Sequence, residues 1–222
     1  MAGAATKSEV GNQRLSPAFL SEESLIRAVR LLARRDPDLG RVVEKFGPPP
    51  MWGREAGFST LLHIILEQQV SLASARAAHN KLLDVASPLT PQRFLKLDDA
   101  ALKAAGFSRQ KTSYARELSS SLVEGRLDLD GLREIDDDTV RSQLLKIKGI
   151  GRWTADIYLL MVLRRPDIWP AGDLALAVAA GHVKRMKSRP TPRELDEIGE
   201  AWKPWRAVAA RILWHYYLSE LV

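Results

Sequence analysis

Residues 144–160 read LLKIKGIGRWTADIYLL, and the middle of this stretch interrupts what would otherwise be one long apolar helix. Gly149 and Gly151 stand one residue apart, and glycine permits positive φ and close approach of another backbone. A helix begins directly afterwards, so unpaired N–H groups point out of its N-terminus, where a phosphate binds favourably. A plain inter-helix turn with a glycine cap is the alternative, and a lone Gly-x-Gly does not exclude it.

The charge around this turn favours the phosphate interpretation. The chain carries a net charge of +6. Residues 141–165 and residues 184–193 each contribute +5, which leaves −4 for the rest of the chain. One such cluster indicates only solvated helix ends. Two clusters on an otherwise acidic chain favour a polyanionic partner.

The composition excludes several kinds of chemistry. The 222 residues contain no cysteine, which excludes disulfides, thiolate zinc sites, cysteine-bound iron–sulfur clusters and a cysteine nucleophile. The four histidines are scattered without the spacing of metal ligands. The apolar run 157–163 is too short to span a bilayer, and residues 1–17 read as a disordered tail without a signal peptide. We expect a soluble protein of the cytoplasm, or of the nucleus in a host that has one.

Apolar residues recur at helical spacing throughout, without convincing strand alternation, which predicts an all-α fold of roughly ten short helices. Ser21 is the expected N-cap of the first helix, and Asp36-Pro37 begins a second that ends at Gly47. The nearly all-apolar segment FSTLLHIILEQQ, 58–69, predicts a central helix. Further helices are predicted near 71–85, 90–96, 98–105, 109–124, 137–147, 152–164, 173–186, 191–201 and 204–219.

Four segments together resemble the helix-hairpin-helix (HhH-GPD) DNA glycosylase superfamily, in particular its 3-methyladenine DNA glycosylase II branch. KGIGRWTAD is similar to the superfamily's hairpin, with Lys148 where proline is common. ILEQQVSLASARA resembles the DNA-penetrating segment, WPAGDLALAVAA the segment that carries the catalytic aspartate, and WKPWRAVAARILWHYY the last helix. Each motif alone is weak, but four in order at compatible spacings are specific.

The resemblance implies two helical subdomains with the active-site cleft between them. The terminal subdomain would comprise 18–56 and 166–222, and the central one 57–165, ending in the helix-hairpin-helix motif. The residues implied to bind a DNA phosphate are Gly149, Gly151, Arg152 and Thr154. A monovalent cation, Na⁺ or K⁺, would be held by the backbone carbonyls of Leu145, Ile147 and Ile150. No other cofactor is implied.

Asp173 is the candidate catalytic residue. Its position before an apolar stretch is typical of a helix N-cap, which is the commonest role of such an aspartate, and the two roles are compatible. Cleavage of an N-glycosidic bond develops positive charge on the sugar, as in glycosidases. A nearby carboxylate stabilises that charge, and it can also orient or deprotonate a water. The resemblance implies that Asp173 has this role.

The resemblance also implies roles for two tryptophans and a polar turn. Trp153 stands where bifunctional members carry a lyase lysine, and tryptophan cannot form a Schiff base. Trp153 and Trp214 match base-pocket positions, where an indole gains cation–π energy from a cationic base; core packing is the alternative for each. Gln69, with Val70, would fill the gap left by an extruded nucleotide. The alternative is that these polar residues form the solvent-exposed end of a core helix.

The expected protein is a monomeric, monofunctional base-excision repair enzyme. It would excise alkylated purines of the 3-methyladenine and 7-methylguanine type from double-stranded DNA, without membrane association. A helix-hairpin-helix DNA-binding module without chemistry is one alternative, although it needs none of Asp173, Trp153 and Trp214. A glycosylase for adenine or oxidised guanine is another, although the missing cysteines and lyase lysine disfavour its usual iron–sulfur and lyase forms.

Overall fold

The computed structural model describes residues 18–222, and no strand occurs within that range. The predicted all-α fold is confirmed, while the predicted tail, 1–17, lies outside the described residues. The described part contains twelve α-helices, one for each predicted helical segment, so the overall number was underestimated as roughly ten. They are α1 (Glu22–Arg35), α2 (Pro37–Phe46), α3 (Phe58–Glu67), α4 (Leu72–Ala86), α5 (Pro91–Leu95), α6 (Asp99–Ala104), α7 (Arg109–Val123), α8 (Asp137–Leu145), α9 (Arg152–Ile157), α10 (Leu174–Val183), α11 (Pro192–Glu200) and α12 (Arg206–Tyr216).

Side-chain caps place the first two helices where the sequence predicts them. Ser21 accepts the N–H of Ser24 at the start of α1, and Asp36 accepts the N–H groups of two residues in the first turn of α2. These caps satisfy N–H groups that no carbonyl within the helix can reach. Gly47, with φ of 77°, ends α2.

Two predicted helices change their winding near their C-termini. The predicted helix 152–164 is α-helical only as far as Ile157 and continues as a π-helical turn over Tyr158–Val162. The last predicted helix likewise ends in a π-helical turn, Tyr217–Leu221. Apolar periodicity does not distinguish these windings, because it marks a helical face and not the carbonyl to which each N–H bonds. A short 3-10 turn, Gly131–Glu134, was also not predicted.

Arg211 on α12 is fully buried and ties the π-helical turn to its surroundings. Its guanidinium donates to the carbonyls of Met51, Leu160 and Ala207 at 2.8 to 3.1 Å. Burial lowers the pKa of Arg211 to about 10, so the side chain is a cation at neutral pH. Carbonyl dipoles replace the water that this cation gives up on folding.

The helices pack in two groups. The first contains α1, α2, α10, α11 and α12, and the second contains α3 to α9. The central position predicted for α3 is confirmed, because its apolar side chains are buried and it contacts α4, α7 and α9. The architecture of two helical subdomains follows from this packing, while the exact boundaries at 56/57 and 165/166 stay a prediction. No helix within 18–222 is long and apolar enough to cross a membrane.

Asp36 joins three parts of the first group. Its buried carboxylate caps α2 and accepts hydrogen bonds from Trp202 Nε1 and Lys184 Nζ, both at 2.7 Å. Burial alone would raise the pKa of Asp36, but the bonds from Lys184 and Trp202 bring it below the ordinary value. The carboxylate is therefore ionised at neutral pH and holds α2 against residues that follow α10 and α11.

We predict that Asp36→Ala lowers the free energy of unfolding at pH 7 by about 3 kcal/mol, because it removes a helix cap and two charge-assisted hydrogen bonds. Denaturant titration measures the loss. The contribution of Asp36 is present above the unfolded carboxyl pKa, near 3.8, and is lost as the pH falls through the lower folded value. The control is Asp84→Ala, since Asp84 is exposed on α4. Equal stability of the two variants at pH 7 would contradict the prediction.

Candidate active site

The hairpin between α8 and α9 is a tight turn around Gly149. The φ of Gly149 is 93°, a backbone conformation that favours glycine. A Cβ atom added at Gly149 would lie 2.1 Å from the ring of Tyr114 on α7. Gly151, by contrast, has φ of −94° and open space around it. Only the first of the two glycines is therefore required by sterics.

The N-terminus of α9 carries no side-chain cap. Its N-cap residue is Gly151, and the first backbone bond into the helix runs from the N–H of Ala155 to the carbonyl of Gly151 at 3.0 Å. The N–H groups of Arg152, Trp153 and Thr154 precede that bond. Such N–H groups, together with the positive end of the helix dipole, attract an anion.

The carboxylate of Asp173 accepts three N–H hydrogen bonds. The N–H of Leu176 donates to Oδ1 at 2.8 Å, which confirms Asp173 as the N-cap of α10. The indole of Trp214 also donates to Oδ1, at 3.1 Å, and the indole of Trp153 donates to Oδ2 at 2.9 Å. Each carboxylate oxygen has two acceptor positions. Oδ1 is thus filled, whereas Oδ2 can accept one further donor, such as a water.

The carboxylate lies where the two helix groups meet. Asp173 and Trp214 belong to the first group, and Trp153 belongs to α9 of the second. Trp214 exposes only 8% of its surface, and Trp153 is partly buried. Leu174, next to Asp173, is 61% exposed. This exposed leucine was not predicted, because only the fold distinguishes an exposed leucine from a core leucine.

The turn that follows α3 carries the predicted DNA-penetrating residues at its surface. Gln69 has φ of 56°, which is uncommon for a residue other than glycine, and it is exposed. Val70 and Leu72 follow it with 44% and 55% of their surfaces exposed. Exposed apolar side chains beside a left-handed residue form a protruding, partly apolar turn.

Gln68 points into the protein, unlike its neighbour Gln69. Its Nε2 donates to the carbonyl of Gly149 at 2.8 Å and to Oγ1 of Thr154 at 2.9 Å. This contact was not predicted, because nothing in the sequence of two adjacent glutamines indicates which side chain points inward. The hairpin and the protruding turn are therefore directly hydrogen-bonded.

Half of the first basic cluster is paired with acids. Arg141 and the exposed Arg152 face the buried Asp156 at 2.9 and 3.6 Å, and Arg165 faces Asp137 at 3.1 Å. Burial raises the pKa of Asp156, and the two arginines offset part of that effect. The basic residues of this cluster without an ion pair in the described range are Lys146, Lys148 and Arg164. Two of these flank the hairpin.

The second basic cluster lies away from Asp173. It follows the C-terminus of α10, whose N-terminus Asp173 caps, so a helix length of about 15 Å separates them. Lys184 is paired with Asp36 and Arg193 with Glu197. The members without an ion pair within 18–222 are Arg185, Lys187 and Arg189. The free charge of this cluster is thus smaller than its sequence indicates.

The described residues contain no group of three or more histidine, aspartate or glutamate side chains that could hold a metal ion. The implied cation site uses backbone carbonyls instead. The carbonyl of Ile147 accepts the N–H of Ile150 at 3.0 Å, which leaves its second lone pair. Carbonyl oxygens are hard ligands that suit such a cation.

Comparison with protein families identifies the class to which the chain belongs. A family model described as HhH-GPD superfamily base excision DNA repair protein matches residues 62–205. This range includes the protruding turn, the hairpin and Asp173. The chain belongs to the HhH-GPD superfamily, which confirms the family that the sequence motifs resemble.

Three proteins similar to this chain are named as 3-methyladenine glycosylases or glycosidases. The chain is 26% identical over 198 residues to DNA-3-methyladenine glycosylase 1 of Schizosaccharomyces pombe, covering 86% of this chain and 87% of the relative. The solved structure of 3-methyladenine DNA glycosylase (Mag1) from the same organism, in complex with abasic-DNA, has a TM-score of 0.79 at 25% identity, with 85% and 95% of the two chains covered. A DNA-3-methyladenine glycosidase from Bacillus halodurans has a TM-score of 0.71 at 28% identity, with 90% and 92% covered.

We predict that Gly149→Ala lowers the free energy of unfolding by about 3 kcal/mol, because the new Cβ overlaps the Tyr114 ring and φ is positive. Thermal or denaturant unfolding measures the loss. Gly151→Ala is the matched control and should cost less than about 1 kcal/mol, since its Cβ meets open space.

A double variant separates the two causes of the lost stability, which are the overlap with Tyr114 and the strain of the positive φ. Adding Tyr114→Ala to Gly149→Ala removes the overlap but not the strain of positive φ. The double variant should therefore lose less stability than the sum of the two single losses. Additive losses would show that the packing of Gly149 on Tyr114 is not the constraint.

Proposed function

We propose that this protein is a monofunctional DNA glycosylase that removes alkylated purines, of the 3-methyladenine and 7-methylguanine type, in base excision repair. The observation that carries the proposal is the carboxylate of Asp173, held by Trp153 and Trp214 at the junction of the two helix groups. The names of the relatives support the substrate class. The enzyme would act as a monomer, in the compartment that holds the DNA.

Double-stranded DNA binds at the hairpin. The backbone N–H groups of Gly149, Gly151 and Thr154 contact one phosphate, with Arg152 beside it. The uncapped N-terminus of α9 supports this role. A monovalent cation on the carbonyls of Leu145, Ile147 and Ile150 would add positive charge next to that phosphate.

The damaged nucleotide leaves the duplex and enters the cleft beside Asp173. Extrusion costs a few kcal/mol for unstacking and unpairing. Gln69 and Val70, both exposed on the turn after α3, fill the vacated space. Contacts in the pocket and in the gap offset the energy of extrusion.

Asp173 then stabilises the positive charge that develops on the sugar as the N-glycosidic bond breaks. Its Oδ2 has a free acceptor position, which suits a contact to the sugar or to the attacking water. An alkylated purine already carries positive charge and is a good leaving group. Trp153 occupies the position of the lyase lysine and cannot form a Schiff base, so the attacking nucleophile is water.

The indoles give the pocket a preference for cationic bases. A cation on an indole face gains about 2 kcal/mol when desolvated. Both indoles border the carboxylate, Trp153 through Oδ2 and Trp214 through Oδ1, and both would contribute to this preference. A DNA-binding module without chemistry would need neither indole bonded to the carboxylate, so this arrangement favours the enzyme.

We predict that Asp173→Asn abolishes nearly all base release, because the neutral amide cannot stabilise the sugar cation. Methylated duplex DNA is incubated with each protein, and the released bases and the strand breaks are measured before and after alkali. The wild-type protein should release 3-methyladenine and 7-methylguanine, with breaks only after alkali.

The control for this experiment is affinity for undamaged duplex, which Asp173→Asn should leave within about twofold. Unchanged base release in the variant would remove Asp173 from the chemistry. Strand breaks without alkali would instead contradict the water nucleophile.

We predict that Trp153→Phe and Trp214→Phe each slow base release at least tenfold, although both retain an aromatic ring. Each loses one N–H bond to a charged acceptor, worth about 1.5–3 kcal/mol. Trp205→Phe is the control, since Trp205 lies in the core away from Asp173. Single-turnover rates on folded preparations measure the effect. Rates equal to that of the control would mean that the indoles act by stacking alone.

A further inference from the structure

The proposed activity needs two separate segments to act on the same DNA. The hairpin holds a phosphate, while the turn after α3 enters the duplex. These segments are 80 residues apart in sequence, and Gln68 joins them through two hydrogen bonds of 2.8 and 2.9 Å. Gln69, which follows Gln68 directly, has the left-handed backbone conformation.

The direction of the Gln68 amide is determined by its partners. A backbone carbonyl only accepts, so the side chain must present its NH₂ group to Gly149. The second partner, Thr154, is buried at 1% exposure in the first turn of α9. Gly149 is partly buried and packs against Tyr114, so both partners are held by the packing of the hairpin.

Helix α7 supports the same two segments from the other side. Lys111 donates to the carbonyl of Leu66 near the end of α3 at 2.5 Å, and burial lowers the pKa of Lys111. One turn later, Tyr114 packs against Gly149, and its hydroxyl accepts a bond from Gln110 at 2.8 Å. The protruding turn and the hairpin therefore share one support, and Gln68 bridges the space between them.

We propose that Gln68 is a positioning residue that couples the phosphate grip of the hairpin to insertion of Gln69 into the duplex. A hairpin anchored on a phosphate fixes the register of the DNA backbone. Through Gln68, it also fixes how far and in which direction Gln69 reaches. This inference rests on the proposed function and adds the coupling of its two DNA-contacting elements.

Loss of the Gln68 bonds should impair extrusion of the nucleotide but not binding of the hairpin to DNA. Without the Gln68 bonds, the hairpin keeps its N–H groups and still binds undamaged duplex. The turn loses its fixed direction, so fewer nucleotides are held in the extruded state. Two neutral hydrogen bonds of ordinary strength correspond to about thirtyfold in rate.

The experiment uses the full chain and a duplex with one 7-methylguanine beside 2-aminopurine, whose fluorescence rises on unstacking. Gln68→Met retains length and packing without donors, and Gln68→Leu is a second uncharged variant that also lacks the NH₂ group. Gln92→Met is the matched control, since Gln92 is exposed on α5. Each variant is tested in the native background and together with Gln69→Ala.

We expect both Gln68 variants to slow single-turnover excision about thirtyfold and to reduce the fluorescence rise. Affinity for undamaged duplex should stay within about twofold. With Gln69→Ala present, the Gln68 substitutions should cost less than about threefold more, because the residue they position is gone. Gln92→Met should match the wild-type protein.

Three outcomes would overturn the coupling. The first is an unchanged excision rate in both Gln68 variants. The second is the same thirtyfold loss with Gln69→Ala present, which would show a role independent of insertion. The third is a parallel loss of affinity for undamaged duplex. Failure of the proposed function gives a different result, since the wild-type protein would then release no base.

Discussion

The carboxylate of Asp173 is held by N–H donors from three helices, and this constraint organises the site. The backbone of α10, the indole from α9 and the indole from α12 each supply one bond. A carboxylate bonded in this way cannot rotate without losing a partner, and moving either helix group would break at least one bond. Charge stabilisation needs such a preorganised group, because dipoles that are already in place need no rearrangement when charge appears.

A second constraint links the site to the DNA-contacting surface. Gly149 allows the hairpin to approach Tyr114, and Gln68 connects the hairpin to the protruding turn. Trp153, two residues after the hairpin, donates a hydrogen bond to Asp173. The four motifs that were separate in sequence are therefore connected by hydrogen bonds: α9 bonds to Gln68 and to Asp173, and Asp173 bonds to Trp214. Distances within this arrangement are set by hydrogen bonds and packing rather than by flexible loops.

Helix positions and the identity of the family could be predicted from the sequence, because caps, glycines and apolar periodicity act locally. Ser21, Asp36 and Gly47 mark helix ends in the structure as the sequence indicates. The direction of a side chain within a tertiary contact is not local. For that reason the donors to Asp173, the inward turn of Gln68 and the pairing of the basic clusters could not be predicted. The roles of Asp173, Trp153, Trp214 and Gln69 in catalysis and DNA binding stay predictions.

The double use of the tryptophans limits how this pocket can be redesigned. Each indole bonds to the carboxylate through its N–H edge. In the proposed mechanism its face would also contact the base, so any substitution that reshapes the pocket wall would disturb the carboxylate as well. Variation at Leu174 is free of that conflict, since its exposed side chain borders the site without bonding to Asp173. Directed evolution toward larger or neutral lesions should therefore begin at this rim, where specificity can change while the catalytic geometry is kept.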